Sequence, residues 1–346
     1  MHKPIQLVRW QEGEGSRIGI KWPEEGAAVP VDAVLPDIHT IWELIDHLDN
    51  AGRSIDEWAE STLADPPLKT PLSHLLPPLE TSQLWAADHT FSGPSNTAPS
   101  LYGRMAAEDR PLLAFKGGAD PVAGPDQALS MRSDALCHIP EPEVVAVVDG
   151  AGELFGYTLG VDMTARDLLE ENPSYLSQAK AFPGCAGLGP TLVIAQTVDL
   201  SRLKVQIQVV RHERLLFTAQ FELSQLAIPL NRLLDHLFQT APKIPWTGLM
   251  MGTGVEFPFE FALETRDQIF VTCPEIGTLH HVVLEKSARK SSSAKIMCIH
   301  PQDNVAVALG KVRQGQVVAV KGSTISSRAA IPFGHKIAIA PIKSGA

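Results

Sequence analysis

The 346-residue sequence predicts a β-rich α+β fold: a small N-terminal α+β unit, a sheet-dominated body and a small strand-like C-terminal piece. Three observations carry this. In "LKVQIQVVR", Val205, Ile207 and Val209 alternate with Lys204, Gln206 and Gln208, the period of a half-buried strand. Helical periodicity is confined to short segments opening near Thr40, Ser54 and Pro229. Two composition breaks divide the chain, one proline-rich at 66–78 and one serine-rich and basic at 286–295. They imply four parts: residues 1–79, 80–285, a linker at 286–295, and 296–346.

The first part opens with "IQLVRW" and "SRIGIKW", two short strands joined by the turn "QEGEG". "HTIWELIDHLDNAG" follows as a helix. Thr40 and Glu43 have the spacing of a capping box, Ile41, Leu44, Ile45 and Leu48 share one face, and Gly52 is the stop. Ser54 and Glu57 repeat the opening signal. Five prolines in thirteen positions at 66–78 exclude a helix or central strand and read as a tethered connector. In the body, "RLLFTAQFEL" is the hairpin partner of "LKVQIQVVR". Leu230, Leu233, Leu234, Leu237 and Phe238 form one apolar helical face.

Composition narrows the function. Twenty-nine basic and 39 acidic residues give a net charge of −10, unsuited to phosphate backbones, so no nucleic-acid partner is expected. Cys137, Cys185, Cys273 and Cys298 lack a C-x-x-C pair and read as reduced thiols. The N-terminus "MHKPIQLVRWQ" has no signal-peptide apolar core, and no apolar run approaches the roughly 18 residues of a membrane span. The expectation is a cytoplasmic protein with no membrane partner. No dinucleotide fingerprint or G-x-S-x-G elbow is present.

The stretch that carries chemistry is "IPEPEVVAVVDGAGELFGYTLGVDMTARD", residues 139–167. Glu141 and Glu143 are two apart, so on a strand they share a face. "DGAGEL" supplies turn residues, and pairing back from it brings Asp162 to the start of the first strand. Three converging carboxylates repel one another, and a hard divalent cation resolves that: an all-oxygen set selects Mg²⁺, Mn²⁺ or Ca²⁺ over zinc. The other reading of the same spacing is a solvent-facing edge strand.

The same stretch, with "AKAF" and "LGP" after it, resembles the signature of the fumarylacetoacetate hydrolase superfamily over roughly residues 80–285. The resemblance implies a mixed β-roll or sandwich. It assigns Glu141, Glu143 and Asp162 as metal ligands, Lys180 as the family's lysine, and Gly252, Thr253 and Gly254 of "MMGTGVEFP" as the loop over the substrate. "ENPSYLSQAKAFPGCAGLGP" and "EDRPLLAFKGGADPVAGP" are similar to the branch acting on 2-keto-3-deoxy sugar acids. That implies a metal-dependent dehydratase of a pentonate-type acid that yields 2-ketoglutarate semialdehyde. A C–C hydrolase or decarboxylase of a 2,4-diketo acid is the alternative within the superfamily, and a non-catalytic sugar-acid-binding protein the alternative outside it. Lys180 is expected to transfer a proton or stabilise an oxyanion, His89 to be a second catalytic candidate, and Lys116 to bind the substrate carboxylate. Arg166 and Asp167 are expected to brace the loop of Asp162.

Two positions depart from the family pattern. Val161 stands where asparagine is usual, and Leu169 where many members have glutamine. "IHPQDNVAVALGKVRQGQVV" and "AIPFGHKIAIAPIKSG" are similar to the SAF-type β-clip domain of altronate and galactarate dehydratases, here expected to be cut short. Family resemblance also implies a homodimer or larger homo-oligomer.

Overall fold

The computed structural model describes residues 4–21, 26–78, 80–91, 111–118, 122–285, 296–298, 300, 302–308, 312, 314–320, 323–332 and 334–342. The chain forms two compact units, Met1–Lys286 and Ser287–Ala346.

In the first unit the strands are β1 (Gln6–Glu12), β2 (Gly15–Lys21), β3 (Ala27–Pro30), β4 (Thr70–Pro71), β5 (Gln83–Asp88), β6 (Leu112–Gly117), β7 (Val122–Ala123) and β8 (Ala128–Met131). They continue as β9 (His138–Val148), β10 (Leu154–Ala165), β11 (Ala186–Ile194), β12 (Lys204–Arg211), β13 (Arg214–Glu222), β14 (Thr247–Met250), β15 (Gln268–Cys273) and β16 (Gly277–Glu285). Among the described residues one large sheet runs β4-β3-β2-β1-β11-β10-β9-β14-β5-β6, with β7 also on β11. A second runs β13-β12-β15-β16-β8.

The N-terminal strands are therefore the flank of the large sheet, because β1 pairs with β11 (Leu7↔Leu192). Helix α1 (Ile41–Asn50) starts as its capping box requires: Thr40 Oγ1 accepts from Glu43 N–H at 3.1 Å, and Glu43 accepts from Thr40 N–H at 2.9 Å. Helix α2 (Ile55–Ala64) has Ser54 at its N-cap without a side-chain cap bond.

The proline-rich segment is more than a tether. Its β4 pairs with β3, Leu76 N–H donates to Arg9 O at 2.9 Å, and Leu75 bridges Trp10. A sheet edge accepts prolines because the missing N–H faces away from the ladder.

One face of the large sheet packs on the second sheet. Val144, Leu159, Val161 and Leu188 lie in one core with Val205, Ile207, Val209, Ile269 and Val271. At Val147, Leu192 and Ile194 it packs instead on Leu44, Leu48 and Trp58 of α1 and α2. Covering of this kind explains why β9, β10 and β11 lack alternation. Between β10 and β11 lie α3 (Arg166–Glu171), a 3₁₀ turn at Pro173–Tyr175 and α4 (Leu176–Lys180). The amphipathic helix α5 (Leu230–Thr240) buries Leu233 and Leu237.

The second unit has a three-stranded sheet of β17 (Ile296–Met297), β18 (Val305–Ala308) and β21 (Lys336–Ala338). A hairpin of β19 (Val317–Val320) and β20 (Ser323–Ser326) accompanies it. Ala308, Val312, Val318 and Val320 form a small core.

Candidate active site

The β9–β10 register sets Asp162 opposite Glu141 and Gly160 opposite Glu143, so hairpin pairing alone brings the three carboxylates to one end. Asp162 and Glu143 are buried, and Glu141 is half-buried. On the other side of β9, β14 delivers Met251, whose N–H bonds Val144 O at 3.1 Å. Gly252 N–H then donates to the Glu143 carboxylate. Glycine is required there: φ is +89°, and a Cβ would lie 2.1 Å from Thr90 Oγ1 and 2.9 Å from Ala87 O.

Lys180 closes the cluster from α4. Its Nζ bonds Glu141, lies 3.0 Å from Asp162 Oδ2 and 3.5 Å from Asp88 Oδ2. The segment "ENPSYLSQAK" can return Lys180 to the strand it left because small residues line the contact: Ala135, Ala165 and Ala179 pack together under Leu168 and Leu169. Asn172 starts the 3₁₀ turn by accepting from Ser174 N–H at 2.9 Å. Glu171, Ser174 and Gln178 are exposed, so the role of this motif is to place Lys180.

Lys116, on β6, is fully enclosed and bonds Asp162 Oδ1 and the Lys180 carbonyl, with Met163 O at 3.4 Å. His89 follows Asp88 at the end of β5 in left-handed conformation (φ +57°), half-buried, with Nδ1 3.9 Å from Asp88 Oδ1. Thr253 accepts from Val255 N–H at 3.2 Å, and Gly254 is exposed beside Phe221. Glu141, Glu143, Asp162, Lys180, Lys116 and Gly252 thus converge, while Thr253 and Gly254 lie further along the loop.

Two residues escaped the sequence reading. Asp88 ends the apolar run "LWAAD" just before His89, and Thr164 shares the face of Asp162 two residues on and donates to Glu141. Strand parity could have found Thr164; only the fold brings Asp88 to Lys180.

Around the cluster, Arg166 gathers the carbonyls of the loop after Gly254. It reaches Pro258 O at 3.1 Å, Phe261 O at 3.0 Å and also Phe259 O. Asp167 accepts from Leu136 N–H at 2.7 Å. The two departures from the family pattern are apolar contacts here: Val161 is buried in the main core and Leu169 packs on the alanines.

Electrostatics follow from this crowding. Burial, and then the neighbouring Asp162, push the Glu143 carboxyl well above the usual range. Burial also raises Glu141, with Asp88 and Asp162 adding to it against Lys180. Burial works against the Lys180 ammonium, but Asp162, Asp88, Glu141 and Glu143 together hold it well above the usual lysine range. Asp88 is held down despite burial, chiefly by Lys180. Four carboxyl groups face two ammonium groups; fully ionised, the set would carry an excess of two negative charges, which burial opposes at Glu141 and Glu143. An all-oxygen donor set with that excess fits a divalent cation. Among the described residues, however, no three acidic, histidine or cysteine side chains form a ready-made cage. The Lys180 ammonium stands between Glu141 and Asp162.

The model for the fumarylacetoacetate hydrolase C-terminal family matches residues 102–284 of this chain. The chain belongs to the fumarylacetoacetate hydrolase family. A second model, the altronate/galactarate dehydratase SAF domain, matches residues 294–346. Within the family, the chain is 30% identical over 181 residues to 2-dehydro-3-deoxy-D-arabinonate dehydratase of Saccharolobus solfataricus, covering 52% of this chain and 61% of that one. It is 28% identical over 219 residues to a probable 2-keto-3-deoxyxylonate dehydratase of Haloferax volcanii, covering 61% of this chain and 75% of that one. The chain thus spans about three-fifths of the first of these relatives and three-quarters of the second.

The fold is similar to that of a 2-keto-3-deoxy-D-arabinonate dehydratase solved with magnesium and 2,5-dioxopentanoate. The TM-score is 0.68 at 23% identity, over 82% of this chain and all of that one. Among the described residues no helix is long and apolar enough to cross a membrane.

Proposed function

We propose that this protein is a divalent-metal-dependent hydro-lyase that dehydrates a 2-keto-3-deoxy sugar acid of pentonate type to 2-ketoglutarate semialdehyde, the compound also named 2,5-dioxopentanoate. The observation that carries the reading is the β9–β10 register, which sets Asp162 against Glu141 with Glu143 and Lys180 alongside. The two sugar-acid dehydratases among its relatives support it. So does the neighbour solved with magnesium and the expected product.

Glu141, Glu143 and Asp162 would hold Mg²⁺, or Mn²⁺ or Ca²⁺ in its place, and the cation supplies Lewis-acid polarisation of the 2-keto carboxylate. The chain's own residues then divide the proton work. Asp88, kept ionised by Lys180, and the adjacent His89 form the side that accepts the C3 proton. Lys180, kept protonated by its carboxylates, donates to the C4 hydroxyl as it leaves as water. The unsaturated alcohol left behind rearranges to the semialdehyde. Gly252 N–H holds Glu143 in place, and Thr253 and Gly254 continue the loop proposed to cover the substrate.

The reading includes self-association, supported by the exposed Leu215, Leu216 and Phe259, of which Leu215 and Leu216 lie on the edge strand β13. It also includes a cytoplasmic location, with which the four free cysteines agree.

The test is purified protein with Mg²⁺ and a panel of 2-keto-3-deoxy and 2,4-diketo acids. Semialdehyde from a 2-keto-3-deoxy pentonate is expected, and its loss on chelation. Pyruvate plus a second acid from a diketo acid would replace the reading with hydrolysis, and tight binding without turnover would replace it with a binding protein.

A further inference from the structure

Lys116 was expected to bind the substrate carboxylate, yet its surroundings suit another task. We propose that Lys116 is a positioning residue that locks Lys180 and Asp162 to each other, and that it contacts no substrate. An ammonium has three N–H donors. Here they point at Asp162 Oδ1, the Lys180 carbonyl and, more weakly, Met163 O at 3.4 Å. The residue is 1% exposed and its side chain fully enclosed. All three donors are directed at protein oxygens, so none is left to meet a ligand.

What those bonds join matters. Asp162 and Lys180 are 18 residues apart, at the two ends of the α3–α4 excursion. Helix α4 has five residues, too few to be stable through its own hydrogen bonds. Its last carbonyls lack helical partners, and a cation there satisfies one of them and complements the helix end. Lys116 thus pins the Lys180 backbone from the sheet, while the Lys180 side chain returns to Asp162 Oδ2 at 3.0 Å. Asp162 has one oxygen on each lysine. Removing Lys116 leaves Lys180 present but free to swing, the kind of misplacement that costs turnover more than binding.

The inference rests on the site reading above, so its test carries one arm that depends on turnover and one that does not. In the first, Lys116→Met and Lys116→Arg are compared with the wild-type enzyme on the 2-keto-3-deoxy acid it dehydrates. The expected result for Lys116→Met is a kcat about 100-fold lower, with KM within about threefold. Lys116→Arg is expected to give no rescue, because a guanidinium's planar fork cannot aim its donors at these oxygens as the compact ammonium does.

In the second arm, hydrogen–deuterium exchange of the α4 segment in Lys116→Met is expected to quicken about tenfold, with β12–β13 unchanged. A tenfold rise in KM with kcat kept, restored by arginine, would make Lys116 a substrate contact and overturn the proposal. Unchanged exchange at α4 would overturn it too, whatever the enzyme acts on. Absence of any turnover by wild type would sink the dehydratase reading alone. If Lys116→Met does not fold, Lys116→Gln, which keeps two donors, is judged by the same criteria.

Discussion

Two hairpins of this protein are built alike and used differently. Both β9–β10 and β12–β13 are antiparallel, and each ladder carries one register shift. Each has a lysine on a glutamate: Lys180 on Glu141 in the first, Lys204 on Glu222 at 2.6 Å in the second. The difference is cover. Every residue of β9 but Glu141 is buried, whereas β13 is an edge strand exposed along most of its length. The Lys204 and Glu222 side chains are 68% and 48% exposed, against 3% and 13% for Lys180 and Glu141. Water screens the Lys204–Glu222 pair to near irrelevance. In the Lys180–Glu141 pair, each charge depends on its neighbours for solvation, which moves proton affinities and makes the site reactive.

The largest expected effect is at Asp162. Asp162→Asn keeps the shape but leaves Lys116 and Lys180 enclosed without their shared carboxylate. Breaking a buried pair in this way costs about 3–5 kcal/mol. Urea denaturation should show a loss of that size, with turnover falling by more than about 100-fold, the upper range for residues that only support a metal. A drop under 1 kcal/mol, read against the usual value of an exposed pair, would erase the distinction between the two hairpins.

A second test lies on β16, in the same sheet as β12–β13 but on its covered face. His281 is fully buried, its Nδ1 2.9 Å from Gln127 O, and Nε2 sits against Gly187 with no hydrogen-bond partner among the described residues. Burial lowers its pKa from 6.5 to about 4. The fold therefore prefers the neutral ring. Its stabilisation is complete above pH 6.5 and declines as pH falls toward 4, by about 3 kcal/mol in all. The denaturation midpoint of wild type should fall across that window more steeply than that of His281→Gln. Parallel slopes would mean that His281 is hydrated.

The smallest effect is expected at the exposed pair. Lys204→Met should change stability by no more than about 0.5 kcal/mol, and turnover not at all. A larger loss would mean that this edge is covered in the assembled protein, and light scattering of wild type and variant would then report the partner copy.

Much of this was legible in the residues. The alternation in "LKVQIQVVR" predicted β12, and Thr40 with Glu43 predicted where α1 begins. These are local rules, in which backbone period and capping chemistry act within a few residues. The proline-rich segment misled because proline content excludes a central strand and says nothing about an edge that bonds through its remaining N–H groups. The N-terminal strands read as a separate unit because the pairing that joins them to the sheet, Leu7 with Leu192, is long-range and leaves no trace in periodicity.

The site divides in the same way. Strand parity put Glu141 and Glu143 on one face, and the turn residues of "DGAGEL" brought Asp162 back to them; these depend only on the geometry of a hairpin. The tertiary structure alone decided that Asp88 reaches Lys180 and that Lys116 is enclosed, 46 residues from Asp162 and 64 from the Lys180 carbonyl it holds. It also decided burial. A carboxylate's proton affinity is set by the water it loses and the charges it meets, and both are properties of the packed chain.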